Sequence, residues 1–176
     1  MPNFQITAKE DNKKYWISRS MATRGELIVY DGKNVYILVN KRGEGVPDFK
    51  HHWNIPCGYL EYDITLKENC SKELLEECGI NVPFNKWKFH SIEDDPQRSN
   101  KQNVTVVYRT EMTKSEFNTY VIHNNINDFE GGEINEVEDV WLMPLTMENI
   151  NKYDWAFNHK EVLIDIFNEI KYDKRV

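Results

Sequence analysis

The chain has 176 residues and a formal charge of −7, from 22 basic and 29 acidic residues, a length that suits one domain. Five Trp, nine Tyr and eight Phe supply large buriable groups for a core of ordinary size, and no run of about 18 apolar residues offers a membrane-spanning helix. The acidic balance argues against a broad basic face for a nucleic acid duplex. It leaves room for a small anionic substrate, which needs only a few local cations or a metal ion held by carboxylates. Cys57, Cys70 and Cys78 are an odd, sparse set without C-x-x-C spacing, which speaks against a disulfide framework and a zinc finger. The start, Met1-Pro-Asn-Phe-Gln-Ile, lacks the basic and apolar segments of a signal peptide. A cytoplasmic protein is the expectation.

The first 19 residues are polar and form an extension with one β-like stretch, Lys14-Tyr-Trp-Ile-Ser18. Gly25–Tyr30 and Val35–Val39 are β-branched and aromatic runs on either side of Asp31-Gly32-Lys33-Asn34, whose Asp-Gly tolerates positive φ, so they predict a β-hairpin. Both runs are almost continuously apolar, as strands covered on both faces are. Residues 40–57 read as a polar loop leading into Trp53-Asn-Ile-Pro56. Thr65 to Cys78 predicts a helix. Thr65-Leu-Lys-Glu68 matches a capping box, in which hydroxyl and carboxylate satisfy the exposed N–H groups of the first turn. Gly79 stands where a left-handed residue closes such a helix. Asn103–Arg109 and Val137–Leu142 predict strands. Trp155–Lys171 predicts an amphipathic helix with Phe157, Val162, Leu163, Ile166, Phe167 and Ile170 on its apolar side. Strands and helices around a doubly covered sheet predict an α/β or α+β sandwich with a core over about residues 20–170.

The chemistry concentrates in the helix after Thr65. At 100° per residue, Glu73, Glu76 and Glu77 fall within an arc of about 100°, one turn apart. Leu66, Cys70 and Leu74 form the adjoining stripe, so the acids sit beside the buried edge. Three carboxylates this close repel one another and call for a cation, and hard oxygen ligands suit Mg²⁺ or Mn²⁺. Surface helices also carry solvated acids, and Glu68→Lys72 and Lys72→Glu76 are good i,i+4 pairs. The surrounding glycines tip the balance.

Gly58, Glu73, Leu74, Glu76, Glu77, Gly79 and Ile80 stand at the spacings of G-x5-E-x7-R-E-U-x-E-E-x-G-U, where U is bulky and aliphatic, and the segment resembles the Nudix box. Trp53-Asn-Ile-Pro-Cys-Gly58 resembles the W-x-x-P-G-G lead-in, with Cys57 replacing a glycine. Trp155-Ala-Phe-Asn-His159 resembles a short motif often seen near the end of such proteins. Two positions depart from the box. Lys72 replaces Arg, keeping the charge and losing the bidentate fork, and Ile64 replaces Glu.

The resemblance implies a Nudix-like α/β/α sandwich with a mixed, buried sheet, one domain over 1–176, and hydrolysis of a diphosphate bond in a nucleoside diphosphate derivative. It implies Mg²⁺ as cofactor, with Mn²⁺ the alternative. By position, Glu73, Glu76, Glu77 and the Gly58 carbonyl would hold the metal, with Glu133 or Glu136 as a further acid from a distant loop. Glu73 or Glu76 would activate water and Lys72 would orient the glutamates. The implied partner is a small nucleotide, with no nucleic acid duplex and no membrane, and a homodimer is a further expectation because family members often dimerise. A rival expectation is a catalytically weak nucleotide-binding or sensor domain, marked by Ile64. Outside the box, Lys41, Arg42, Arg98 and Arg109 are candidate substrate contacts, while Glu93-Asp94-Asp95 reads as an exposed turn, His51-His52 as loop residues and Cys57 as packing. Trp53, Tyr59, Tyr62 and Trp141 are base-stacking or core aromatics. Ile64, just before the capping Thr65, is expected to pack on the first helical turn as a hydrophobic staple.

Overall fold

The computed structural model describes residues 4–98, 103–122 and 135–173. A short antiparallel pair, β1 (Phe4–Thr7) and β2 (Lys14–Ile17), forms its own two-stranded sheet. The main sheet is built around β3 (Ser20–Asp31), which turns through Asp31–Asn34 into β4 (Asn34–Arg42), with Gly32 at φ 59° supplying the left-handed turn residue. Then follow β5 (Trp53–Asn54), β6 (Cys57–Tyr59), helix α1 (Leu66–Cys78), β7 (Lys88–Glu93), β8 (Asn103–Thr113), α2 (Lys114–Tyr120), β9 (Val137–Pro144), α3 (Met147–Lys152) and α4 (His159–Asp173).

The strand order is β5-β4-β3-β8-β7, with β6 also on β3 and β9 also on β4. β3 and β8 run parallel, from Ser20 opposite Asn103 to Tyr30 opposite Thr113, and the other pairings are antiparallel. The sheet is therefore mixed. Strand alternation sends Leu27 and Val29 to one face and Ile28 to the other. Leu27, Val29 and Leu38 pack with Cys70, Leu74 and Cys78 of α1, while Ile28, Ile37 and Val39 pack with Ile150, Val162, Leu163 and Ile166 of α3 and α4. The result is an α/β/α sandwich: the doubly apolar hairpin pointed to a sheet covered on both faces, and the resemblance to the Nudix box implied the three layers. Leu74 is fully buried beside the acids, so truncation to Ala would cost about 2–5 kcal/mol.

Three expectations shift. The loop expected over residues 40–57 carries β5 and the start of β6, pieces too short for a periodicity to show. β3 begins at Ser20 rather than Gly25, because Arg24 and Glu26 are buried as an ion network. Arg24 donates to Glu26 at 2.9 Å and to both Glu93 oxygens at 2.9 and 2.7 Å, and Arg109 donates to Glu26 at 3.0 Å and Glu169 at 2.8 Å. The last helix starts at His159 instead of Trp155. Ala156 N–H donates to the Trp53 carbonyl at 2.8 Å and Phe157 is left-handed at φ 54°, which pins Trp155–Phe157 to β5 and blocks helix there. No helix among the described residues is long and apolar enough to cross a membrane.

Candidate functional site

α1 is closed at both ends as its sequence prescribes. Thr65 accepts from the Glu68 N–H while Glu68 accepts from the Thr65 N–H, and Gly79 takes φ 65° with its N–H on the Leu75 carbonyl. The helix lies beside β6, and together they form one wall of a cavity of about 1320 Å³. Gly58, Glu61, Lys72, Glu73, Glu76, Glu77 and Glu136 line it on the acidic side. Arg24, Arg42, Glu93, Phe157, Asn158 and His159 line it as well.

Gly58 is in contact with Glu73: a Cβ at 58 would stand 2.2 Å from the Glu73 carboxyl carbon. Glu73 Oε1 accepts from the Asn69 amide at 3.3 Å, and that amide also donates to Thr23 at 3.0 Å while its oxygen accepts from the Glu61 N–H at 3.2 Å. Burial pushes the Glu73 carboxyl up to about 7, with Lys72 opposing and Glu76 and Glu136 adding repulsion. Glu77 is 6 % exposed and accepts from the Cys57 N–H at 3.0 Å. Burial first, and Glu73 second, hold its carboxyl well above the usual range. A half-buried and a buried carboxylate thus repel each other, and the opposing influence of Lys72 on Glu73 and of Arg42 on Glu77 does not cancel the cost of burial. A hard dication is what such a pair is built to meet, and the cradle at Gly58 leaves their approach free of a side chain. Among the described residues no three His, Cys, Asp or Glu side chains already stand close enough together to hold a metal.

Lys72 pairs with Glu76 and, at 3.2 Å, with Glu61. Burial works against its charge, and the two carboxylates outweigh that and raise its value. Ile64 is half-buried just before the capping Thr65, and the fourth helical position, where a staple's partner stands, is the polar Asn69. Burial pushes the Cys57 thiol up to about 12, which leaves it protonated and inert.

Of the candidate substrate contacts, Arg42 alone lines the cavity; it also donates to Asp48 at 2.9 Å. Lys41 is turned to Glu138 at 2.6 Å, Arg98 pairs with Asp165, and Arg109 is sunk in the Glu26–Glu169 network, so all three are spent on structural ion pairs away from the cavity. Glu136 is at the cavity, and Glu133 lies outside the described residues. Trp53 and Trp141 stack with each other in the core, whereas Tyr59 and Tyr62 stand at the cavity rim. His51 bridges Glu44 and Glu138 on the surface. Glu93 is not a turn residue but the end of β7, bound to Arg24. Sequence reasoning missed His159 as a site residue. It is buried, its Nδ1 accepts from the Ile55 N–H at 3.0 Å, and burial with Arg24 and Arg42 nearby holds its imidazole well below the usual value. The Trp155–His159 motif was the available signal.

Residues 23–166 match the family model of the NUDIX domain. The chain belongs to the Nudix family. As a member it is a pyrophosphohydrolase of the Nudix type. The fold is similar to that of the NUDIX domain of Shewanella oneidensis NrtR complexed with ADP ribose, with TM-score 0.64 and 18 % identity over 87 % of this chain and 89 % of that one. A MutT/nudix family protein from Listeria innocua gives TM-score 0.61 and 18 % identity over 89 % and 96 %. The bifunctional NMN adenylyltransferase/ADP ribose pyrophosphatase from Francisella tularensis, complexed with AMP and Mn ion, gives 0.61 and 21 % over 86 % of this chain and 41 % of that longer one. NrtR has also been solved with a 27mer DNA, and this chain spans 58 % of that one, with TM-score 0.58 and 18 % identity over 81 % of this chain. No curated protein matches this Nudix chain.

Proposed function

We propose that the cavity hydrolyses the diphosphate bond of a small nucleoside diphosphate derivative with Mg²⁺, and that Glu73, Glu77 and the Gly58 carbonyl hold the ion. The observation that carries this is the pair of mutually repelling carboxylates on the box helix, half-buried Glu73 against Gly58 and buried Glu77 on the Cys57 N–H. A divalent cation there supplies the positive charge that lets a water approach phosphorus through the anionic oxygens. Lys72 fixes Glu76 at the cavity edge, where its carboxylate can take the proton of the attacking water. Glu61 shares Lys72 and keeps that cation from collapsing onto Glu73. Glu136, which lines the same cavity, is the further acid within reach.

Small nucleotides fit better than a duplex. Lys41, Arg98 and Arg109 are tied into ion pairs and the chain carries −7, so little basic surface remains for a phosphate backbone. Solved relatives hold ADP ribose or AMP, and ADP-ribose, nucleotide sugars, dinucleotides and nucleoside triphosphates make the panel to test. Release of nucleoside monophosphate or phosphate with Mg²⁺, and its loss with chelator, is the expected result. No turnover of any member, with or without Mg²⁺ or Mn²⁺, overturns the proposal. Ile64 favours a second reading, a domain that binds nucleotide and turns it over slowly. Tight binding of panel members with negligible hydrolysis is its signature.

A further inference from the structure

We infer that His159 is a neutral hydrogen-bond donor that binds a phosphate oxygen of the substrate through its Nε2–H, in the corner of the cavity shared with Arg24 and Arg42. The inference rests on the proposed diphosphate substrate and adds a residue that the metal chemistry does not use.

The tautomer comes from the backbone. Ile55 N–H donates to His159 Nδ1 at 3.0 Å, so in the neutral ring the proton sits on Nε2. His159 is 4 % exposed and lines the cavity. Its Nε2 has no partner among the described residues, and it is not among the side-chain atoms shut away from solvent without one, so it opens into the cavity. A donor held this firmly and left unanswered inside a cleft is aimed at a ligand.

The surroundings choose an anion. Burial first, and then the nearby charges of Arg24 and Arg42, oppose a second proton on the ring. A negative oxygen meeting a fixed N–H makes a charge-assisted bond, beside the Arg42 guanidinium, which shares its charge with Asp48, and the Arg24 guanidinium, which is held by Glu26 and Glu93. The ring is also braced. Phe157 stands edge-on to it with centroids 5.4 Å apart, is covered by the Arg42 guanidinium at 5.1 Å, and is kept in the left-handed region at φ 54°. Strain of this kind survives where the surrounding structure needs the geometry.

Two substitutions separate donor from scaffold. In His159→Asn the amide oxygen can replace Nδ1 as acceptor for Ile55, but nothing reaches the Nε2 position. In His159→Gln the amide reaches that position and the Ile55 bond is lost. Inorganic pyrophosphate with Mg²⁺ is the probe, read by calorimetry and by ¹⁵N NMR of labelled histidine. We expect an Nε2-protonated His159 in the parent whose resonance moves on pyrophosphate binding. His159→Asn should melt near the parent and bind pyrophosphate about 10- to 100-fold more weakly, the loss of a hydrogen bond to a charged group. His159→Gln should melt lower and keep more of the affinity.

Parental pyrophosphate affinity in His159→Asn, an Nδ1-protonated ring, or an Nε2 signal unmoved by saturating pyrophosphate would each overturn the inference, as would failure of the parent to bind the probe. If His159→Asn does not fold, the parent's NMR response and the His159→Gln affinity decide. Hydrolysis across the panel with an unmoved signal rejects His159 alone. A moved signal with no panel member hydrolysed rejects the proposed activity and keeps this subsite.

Discussion

Gly58→Ala tests the carboxylate cradle most directly. The new Cβ would stand 2.2 Å from the Glu73 carboxyl carbon and 2.3 Å from each of its oxygens, where ordinary contact begins near 3.5 Å, so the carboxylate must retreat by about 1.3 Å. The backbone has no objection. Gly58 is not among the residues with positive φ, and it sits in β6 opposite Thr23, where alanine is allowed. The obstacle is the end of one flexible side chain, so the fold should survive. Displacement of a catalytic group by about 1 Å costs roughly 10²-fold in rate. Mg²⁺-dependent kcat/KM on the best panel substrate should therefore fall about 100-fold, with a metal-free Tm at or slightly above the parent's, since Glu73 is moved toward water. Adding Glu73→Asp to Gly58→Ala makes room for the methyl, and the pair should cost less than the two single losses combined. The reasoning is refuted by a Gly58→Ala enzyme with parental kcat/KM and parental Mg²⁺ dependence, because Glu73 would then be free to move without consequence.

Glu77→Gln keeps an oxygen for the Cys57 N–H and removes a buried charge, so its metal-free Tm at pH 7 should equal or exceed the parent's while turnover falls by at least about 10²; parental turnover would remove Glu77 from the metal site. The pH dependence of stability has a definite sign. The Glu73 carboxyl is raised in the fold from an ordinary 4.5 to about 7, so its contribution is fully present below about pH 4.5 and is lost as pH rises through 7. That loss is about 3 kcal/mol at most. Metal-free Tm should fall between pH 5 and 8 relative to Glu73→Gln measured alongside, and added Mg²⁺ should raise Tm more at pH 8 than at pH 5; melts that run parallel would refute it. His159 opposes this trend, since its lowered value costs stability as pH drops below about 6.5. Finally, Glu61→Gln should lower kcat/KM about tenfold by freeing Lys72, Ile64→Glu alone should change it less than about threefold, and Ile64→Glu should recover activity in the Glu61→Gln background. A strong gain from Ile64→Glu in the parent would show that Glu61 does not fill the role.

Much of the site was legible before any coordinates. The capping box at Thr65–Glu68, the left-handed Gly79 and the arc of Glu73, Glu76 and Glu77 are relations over three to five residues, and helix geometry alone converts them into positions. The same holds for the Asp31–Asn34 turn and for the apolar runs of β3 and β4, whose uninterrupted character announces a sheet covered twice. The box spacing added Gly58, which the fold places against Glu73.

Charge was another matter. Lys41 and Arg42 are neighbours in a strand, so alternation turns one to Glu138 and the other to the cavity. Arg109 is opposite Glu26 only because β8, more than eighty positions further along the chain, lies parallel to β3, and the buried ions there pair with one another before any substrate arrives. Glu61 became the partner of Lys72, and Ile55 the partner of His159, through chain segments that meet only after folding. Local sequence determined which residues are helix, strand and acid stripe, because those depend on near neighbours. Tertiary structure decided which charges are spent on the fold and which are left for chemistry, because desolvation and ion pairing are set by everything that surrounds a group, most of it distant along the chain.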